Sequence, residues 1–351
     1  MNSKVFIANT SPQTILDDYK KLLNDINYKN IFDPKKEIVL KLNLSWTKFY
    51  PACSTPPWML EGVLKTLIED GIDPKKIIPV ENKTVVTNVY EGSVNNKWKK
   101  ILDKYNVKMH YLTNEKYIKY KPKGKMLILD KIFPRGIMLP NIIFDKNIIH
   151  LATAKMHVFT TTTGTIKNYF GMLREIRHFA HRYIHETIVD LLTIQKEIHP
   201  GILGLIDGAV VGKGSGPRAM DWEEKNYIFG SGNLVAVDAI VAKTMGFSPE
   251  NLKYLKLARD LKLGPTDPEV NIKISKTWGF KRADTFASRG QKFIYHKLPE
   301  RVEKFLLQSI IAPWSYLASS AYHDYYWYNF IGRKRIRRFL KTSWGKLFKT
   351  Y

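Results

Sequence analysis

Short apolar runs alternate with amphipathic helical patterns along most of the chain. Residues 37–44 (EIVLKLNL) form an apolar, β-rich run that predicts a buried strand. Residues 54–72 then place apolar side chains at helical spacing behind two prolines, and a glycine ends the pattern. Residues 75–82 (KKIIPVEN) predict the next strand. A strand, a helix and a strand in this order favour parallel pairing with a right-handed crossover.

The same alternation recurs in the second half of the chain. Apolar strand patterns lie at residues 141–154 and 201–210, with a helical pattern at residues 185–198 between them. Two further helical patterns, at residues 233–246 and 250–264, each end at a glycine. The sequence therefore predicts an α/β fold with a mostly parallel sheet and helices on both faces.

Two regions depart from this alternation. Residues 84–140 are richer in lysine and tyrosine and less periodic, which predicts a peripheral or inserted region within an α/β domain of residues 1–300. Residues 301–351 form a C-terminal helical extension, in which an apolar and then aromatic segment precedes a basic one. That order is typical of an interfacial membrane anchor. The alternatives are a helical pair packed on the body, with its basic residues in solvent, and a tail that binds nucleic acid.

The composition limits which ligands, cofactors and cellular locations are expected. The net charge of +24, from 56 Lys and Arg against 32 Asp and Glu, indicates attraction to polyanions. Nucleic acid is the disfavoured polyanion, because no zinc finger, helix-turn-helix spacing or RNP-like strand accompanies the charge. The single cysteine, Cys53, excludes an intramolecular disulfide and a cysteine-ligated iron–sulfur cluster. With no secretory signal pattern, the expected location is the cytoplasm, or the inner face of the membrane if the extension anchors there.

The most unusual stretch is residues 155–171 (KMHVFTTTTGTIKNYFG), which follows a strand predicted to end near Ala154. Ligands of open α/β sheets bind beyond the carboxyl ends of strands. Threonine hydroxyls and the amides around Gly164 can hold an anion there, and Lys167 adds positive charge. The alternative is a threonine-rich loop that caps a helix, with Lys155 and Lys167 in solvent.

A cluster of histidines follows. His178, His181 and His185 are three and four residues apart, so on a helix they share one face. That spacing suits the ligands of a divalent transition metal, and we predict His181 and His185 as ligands. Surface or helix-capping histidines are the alternative.

Two acids stand beside apolar or glycine-rich segments. Asp207 ends a strand in LIDGAVVGKGSGPR, where Gly214 and Gly216 would let the backbone approach a ligand. Asp238, in LVAVDAIVAKTMG, is either a helix cap or a site residue, and its burial decides between the two.

The motifs VLKLN, STPP, KMH, TTGTIKN, LIDGAVVGKGSGP and VAVDAIVAKTMG together resemble domain-of-unknown-function family 362. The resemblance spans roughly residues 37–264. Many members of that family carry an appended ferredoxin-like cluster domain, for which this chain lacks the cysteines.

A shorter stretch is similar to the nickel-pincer lactate racemase group. The residues that follow the group's order are His157, Phe159, Thr163, Gly164, Lys167, Gly171, His185 and Glu186. The likeness implies that Lys167 tethers the cofactor, that His185 ligates nickel and that His157 acts as acid or base. Asn168 and the threonine run depart from the group's pattern.

The sequence thus predicts an enzyme acting on a small anionic substrate, with His157 and Lys167 as catalytic residues and a divalent metal or a nickel-pincer group as the candidate cofactor. The predicted anion-binding residues are Lys41, Asn43, Thr55, Lys155, Thr163, Gly164, Thr165, Asn168, Asp207, Gly214 and Gly216. The alternative function is a non-catalytic module that binds a phosphorylated ligand or an anionic lipid surface.

Overall fold

A mostly parallel sheet forms the centre of the molecule, which confirms the predicted α/β class. The computed structural model describes residues 3–84, 86–174, 180–310 and 313–351. The strands are β1 (Phe6–Asn9), β2 (Ile38–Lys41), β3 (Ile77–Glu81), β4 (His110–Tyr111), β5 (Tyr117–Tyr120), β6 (Ile137–Pro140), β7 (Asn147–His157), β8 (Thr161–Thr162), β9 (Ile202–Ser215) and β10 (Ala219–Ser231).

Helices flank the sheet and fill the C-terminal region. They are α1 (Ile15–Ile26), α2 (Tyr28–Ile31), α3 (Pro57–Glu69), α4 (Val89–Asn95), α5 (Trp98–Lys104), α6 (Leu129–Ile132), α7 (Thr165–Asn168), α8 (Ile184–Ile198), α9 (Leu234–Met245), α10 (Lys253–Asp260), α11 (Phe286–His296), α12 (Glu300–Gln308), α13 (Pro313–Ser320), a π-helix (Ala321–Gly332), α14 (Arg333–Phe339) and α15 (Ser343–Thr350).

The strand order places the ends of the parallel strands side by side. Within the described residues the main sheet runs β1-β10-β9-β7-β2-β3-β4, and the short β8 pairs with β7. The strands β9, β7, β2, β3 and β4 are parallel, whereas β10 and β1 continue the sheet antiparallel. The loops that follow β2, β3 and β7 therefore emerge at one edge of the sheet, where ligands of such sheets bind.

The parallel strands are mainly apolar before their carboxyl ends because both faces of the sheet are covered. Successive side chains of a strand point to opposite faces. Leu40 of β2 and Ile149 of β7 accordingly join one core with α1 and α3, while their neighbours Val39 and Ile148 join a second core with α8 and α9. Burial on both sides explains why these strands read as continuous hydrophobic runs instead of alternating ones.

Residues 84–140 leave the alternating pattern in the structure as well. They contain α4 and α5, the edge strand β4, and the antiparallel pair β5–β6, which forms a separate two-stranded sheet. The domain limits predicted from the sequence stay a prediction.

The last thirty residues of the chain pack on the body. Trp327, Phe339, Trp344 and Phe348 are buried in the same core as α1 and α3. Trp344 packs on Trp58 with ring centroids 4.9 Å apart, and its Nε1 donates to Asn226 Oδ1 at 2.8 Å. In the part of the chain that the structure describes, no helix combines the length and apolar character needed to cross a bilayer.

Candidate functional site

A buried ion pair joins the ends of β2 and β3. Lys41 Nζ lies 2.9 Å from Glu81 Oε2, and both side chains are almost fully buried. The amides of Leu44 and Asn82 donate to the same carboxylate at 2.8 Å. The predicted anion-binding residue Lys41 therefore already faces a carboxylate of the protein. Glu81 was missed from the sequence, although its place at the end of an apolar strand could have identified it.

Polar side chains continue from this pair along the sheet edge. Asn168 donates from Nδ2 to the Lys41 carbonyl at 2.9 Å, and its Oδ1 accepts from Asn43 Nδ2 at 3.4 Å. Asn43 Oδ1 in turn accepts from Lys155 Nζ. Thr55 holds the Asn43 backbone, because its Oγ1 accepts from the Asn43 amide at 2.8 Å. Five residues predicted separately from the sequence thus belong to one hydrogen-bonded network.

Lys155 is buried, and in the described part of the chain its hydrogen-bond partners include no carboxylate. Besides Asn43, its Nζ donates to the Cys53 carbonyl at 2.7 Å and to Thr153 Oγ1 at 2.8 Å. Burial is the main cause that lowers the pKa of Lys155 to about 7, and the charge of Lys167 acts in the same direction. The amine can therefore exchange its proton near neutral pH.

His157 ends β7 as a neutral imidazole. Its Nδ1 accepts from the amides of Phe159 at 3.2 Å and Thr160 at 3.3 Å. Burial holds the pKa of His157 well below its usual value, and the charge of Lys167 lowers it further. Because Nδ1 is the acceptor, the single ring proton resides on Nε2, which makes His157 a hydrogen-bond donor at that atom.

Lys167 lies close enough to influence both of these groups. It is half-buried on α7, with Nζ 5.7 Å from the centre of the Phe170 ring. Its charge lowers the pKa of His157 and of Lys155, as an unscreened neighbouring cation should. The two residues predicted to be catalytic, His157 and Lys167, therefore share one electrostatic environment.

His157 opens onto a cleft of about 180 Å³. The cleft is lined by Met156, His157, Val158, Phe159, Thr161, Gly214, Arg282, Ala283, Lys292 and His296. None of these lining residues is acidic, and Lys292 pairs with Asp284 at 2.7 Å. The sequence did not indicate Arg282, Lys292 or His296, because they lie far along the chain in a segment without a motif.

The threonine loop (residues 160–165) already binds a carboxyl group of the protein itself. Asp238 Oδ1 accepts from the Thr165 amide and from Thr165 Oγ1, each at 2.7 Å, and Oδ2 accepts from the Ile166 amide at 3.1 Å. Thr163 Oγ1 donates to the Lys155 carbonyl at 3.1 Å. Binding of an external anion by Thr163, Gly164 and Thr165 stays a prediction, but the donors of Thr165 are already engaged.

Asp207 lies at a different cavity. Its Oδ2 accepts from Tyr19 Oη and from Trp58 Nε1, both at 2.8 Å, and burial raises its pKa to about 6. This cavity, of about 20 Å³, is also lined by Thr153 and by Phe348 of the C-terminal extension. It is large enough for about one water molecule.

The two predicted glycines of the β9–β10 segment serve different purposes. Gly214 lines the cleft of His157. Gly216 is required by a close backbone approach, since a Cβ atom there would stand 1.9 Å from the carbonyl oxygen of Met156. A side chain at residue 216 would therefore push the turn between β9 and β10 away from β7, the strand that carries His157.

The predicted metal ligands lie in an aromatic environment. The ring centroid of His181 is 5.1 Å from Phe170 and 5.8 Å from Tyr295. His185 Nδ1 is buried without a hydrogen-bond partner in the described part of the chain, and burial lowers the pKa of His185 to about 4. His178 lies outside the described residues. Among the residues that are described, no group of three His, Cys, Asp or Glu is placed to hold a metal ion.

Comparison with known proteins identifies the family. The family model described as "Domain of unknown function (DUF362)" matches residues 38–243, which is more than half of the 351-residue chain. A comparison with curated proteins finds no match. The likeness to the lactate racemase group stays a prediction. The matched span contains β2, β3, β7 and the threonine loop, and we conclude that the chain belongs to the DUF362 family.

Proposed function

We propose that the protein is an enzyme that binds a small anionic substrate in the cleft of His157. The observation that carries the proposal is the composition of the cleft: an imidazole on β7, the guanidinium of Arg282 and the amine of Lys292, which pairs with Asp284, with no acid among the described residues that line it. The charges of Lys155 and Lys167 reach the same imidazole. A carboxylate or a phosphate is the chemical class that such a lining favours.

His157 would act on this substrate as a neutral donor. Its Nδ1 is occupied by two backbone amides, so that Nε2–H is left to donate to a substrate oxygen. A neutral imidazole can polarise a carbonyl or stabilise a developing oxyanion without first having to lose a proton. Lys167, whose charge reaches the imidazole, would add positive potential at this donor.

Calorimetric titration with methyl phosphate tests the anion site. The variant His157→Asn retains an acceptor for the two amides but removes the Nε2–H donor, and Arg282→Ala removes a cation of the rim. Each should weaken binding about tenfold, which corresponds to about 1.4 kcal/mol. Arg135→Ala removes the same charge at an exposed residue that does not line the cleft, and it should bind as the wild type does. Equal affinity of all four proteins, or no binding by the wild type, would refute the proposal.

A non-catalytic module that binds anionic lipid is the second candidate function. Of the fourteen large apolar side chains exposed in the described part of the chain, ten lie between residues 286 and 330. Basic residues follow in α14, and cations near exposed aromatic groups favour an anionic membrane surface.

Vesicle sedimentation tests whether the protein binds an anionic lipid surface. The full-length chain should sediment with phosphatidylcholine vesicles that contain phosphatidylserine, and less with phosphatidylcholine alone. Phe305→Ser/Leu317→Ser removes two exposed side chains and should reduce sedimentation. Removal of the whole extension is a poor test, because its buried aromatic residues belong to the main core. Unchanged sedimentation of the double variant would exclude the exposed surface as the contact.

A further inference from the structure

Helix α11 forms one wall of the His157 cleft. Lys292 and His296 of this helix line the cleft. The Phe159 ring, which follows His157 on the opposite wall, has its centroid 5.6 Å from that of Tyr295 and 6.1 Å from that of His296. The position of α11 is thus fixed by aromatic contacts with the loop that follows the candidate catalytic residue.

The next helix secures α11 to the body. Glu303 of α12 is buried and accepts from Arg182 Nη1 at 2.6 Å. The same guanidinium group donates to the Leu298 carbonyl between the two helices. A partly buried, charge-assisted hydrogen bond of this kind favours one orientation of the two helices. The surface that they turn outward is therefore a fixed feature of the protein.

Two stripes of different chemistry run side by side on α11. Lys292 and His296, four residues apart, form the stripe that lines the cleft. Phe286 and Phe293, seven residues apart, form a second stripe, and their side chains are 89% and 56% exposed. Phe293 and His296 are three residues apart and hence neighbours on the helix surface. The apolar stripe consequently borders the residues of α11 that line the cleft.

Along the chain, the apolar stripe begins close to residues that line the cleft. Arg282 and Ala283 line the cleft just before α11 begins, and the exposed Phe286 follows three residues later. Exposed apolar side chains continue beyond the helix at Phe305 and Leu317. A small hydrophilic substrate would make no use of these side chains, whereas a concentration of exposed apolar groups in one segment typically marks a binding surface.

We infer that the substrate of the cleft is an amphiphile, with an anionic head bound between Arg282, Lys292 and His157 and a hydrocarbon tail lying along Phe286 and Phe293. The inference rests on the proposed anion site and specifies its substrate class. The anionic head could belong to a membrane lipid or to a soluble long-chain phosphate or carboxylate. The shared chemistry is a single anionic group on an unbranched apolar chain.

Calorimetric titration of full-length protein with two phosphates tests the inference. Methyl phosphate carries the head alone, and dodecyl phosphate, used below its micelle concentration, carries head and tail. The wild type should bind dodecyl phosphate at least about tenfold more tightly. Phe286→Ser/Phe293→Ser should lose most of this preference. The control Val94→Ser/Leu261→Ser removes two exposed apolar side chains elsewhere and should retain it.

The outcomes separate the inference from the anion site. Equal affinity for the two phosphates would overturn the amphiphile and leave the anion site standing, whereas failure of both to bind would remove the anion site itself. If dodecyl maltoside, which has the tail without the charge, bound as tightly as dodecyl phosphate, the tail alone would account for binding and the inference would fail. A preference that persists in Phe286→Ser/Phe293→Ser would likewise overturn it.

A vesicle experiment distinguishes the two sources of the amphiphile. Recovery of the protein with phosphatidylcholine vesicles only when they contain dodecyl phosphate would identify a membrane lipid as the source. Binding confined to solution would identify a soluble amphiphile.

Discussion

The carboxylate of Asp238 caps the helix that begins at Thr165. Oδ1 receives the Thr165 amide and hydroxyl at 2.7 Å, and Oδ2 receives the Ile166 amide at 3.1 Å. Gly164 precedes the helix with φ of 141° and ψ of −165°, a conformation that is essentially restricted to glycine. Asp238 thus fixes the start of α7, on which Lys167 and Asn168 are carried toward the sheet edge.

Replacement of Gly164 by alanine should destabilise the protein. A Cβ atom at this position would stand 2.4 Å from Asp238 Oδ2, in addition to the backbone strain. We expect Gly164→Ala to lower the free energy of unfolding by at least about 1–3 kcal/mol, measured by urea denaturation. Gly290→Ala is the matched control, because Gly290 lies within α11 with no atom near the site of its Cβ. That variant should be neutral or more stable by up to about 1 kcal/mol.

The pH dependence of stability should reveal the buried carboxyl of Asp238. Burial raises its pKa from 3.8 to about 7, despite three donors that oppose the shift. Between these values the folded state holds a proton that the unfolded state has released, so the stability of the wild type falls as pH rises through this window. The variant Asp238→Asn has an amide in place of the carboxyl group, so its stability lacks this dependence on pH.

Urea denaturation of wild type and Asp238→Asn at several pH values checks this prediction. The stability of the wild type relative to the variant should decrease from about pH 4 to about pH 7 and then level off. Asp17→Asn, at a largely exposed carboxylate, provides the control for a change of net charge. If the free energy of unfolding depended on pH in the same way in wild type and Asp238→Asn, the raised pKa of Asp238 would be contradicted.

The fold was predictable from local patterns, whereas the arrangement of the site was only partly so. Apolar runs such as residues 37–44 identify buried parallel strands because both sheet faces are covered. The parallel order then implies that Lys41, Asn43 and Lys155 meet at one edge, and the structure places them in one network.

Partners contributed by remote parts of the chain could not be predicted in this way. Glu81 neutralises Lys41 from a neighbouring strand, and Asp238 reaches the threonine loop from a helix 73 residues away. Arg282 reaches the cleft from a segment outside the matched family span. No periodicity links such residues, since their proximity depends on tertiary packing alone. For Asp238 the sequence analysis left a helix cap and a site residue as alternatives, and its hydrogen bonds to the Thr165 and Ile166 amides show that it caps α7.

A second pH effect, of opposite sign, should come from Lys155. Burial lowers its pKa from 10.5 to about 7, so between these values the unfolded state holds a proton that the folded state lacks. The contribution of Lys155 to stability therefore rises with pH through this window. Lys155→Met keeps the length of the side chain but removes the titrating amine.

The difference in unfolding free energy between wild type and Lys155→Met should shift in favour of the wild type from about pH 7 to about pH 9.5. Lys281→Met, at an exposed lysine, controls for the lost charge. A difference independent of pH would show that the amine of Lys155 titrates outside this window.

The C-terminal extension should contribute to the stability of the whole domain. Trp344 is 1% exposed, packs against Trp58 of α3 and hydrogen-bonds Asn226, so its removal leaves a cavity between the extension and the body. Trp344→Ala should lower the free energy of unfolding by about 3–5 kcal/mol. Phe330→Ala removes an aromatic side chain from the same extension at a position that is 74% exposed, and it should change stability by less than about 0.5 kcal/mol.

A single urea transition that shifts as a whole in Trp344→Ala would show that extension and body unfold together. If instead the extension melted first, in a separate transition that left the body's transition unchanged, it would be an independent unit.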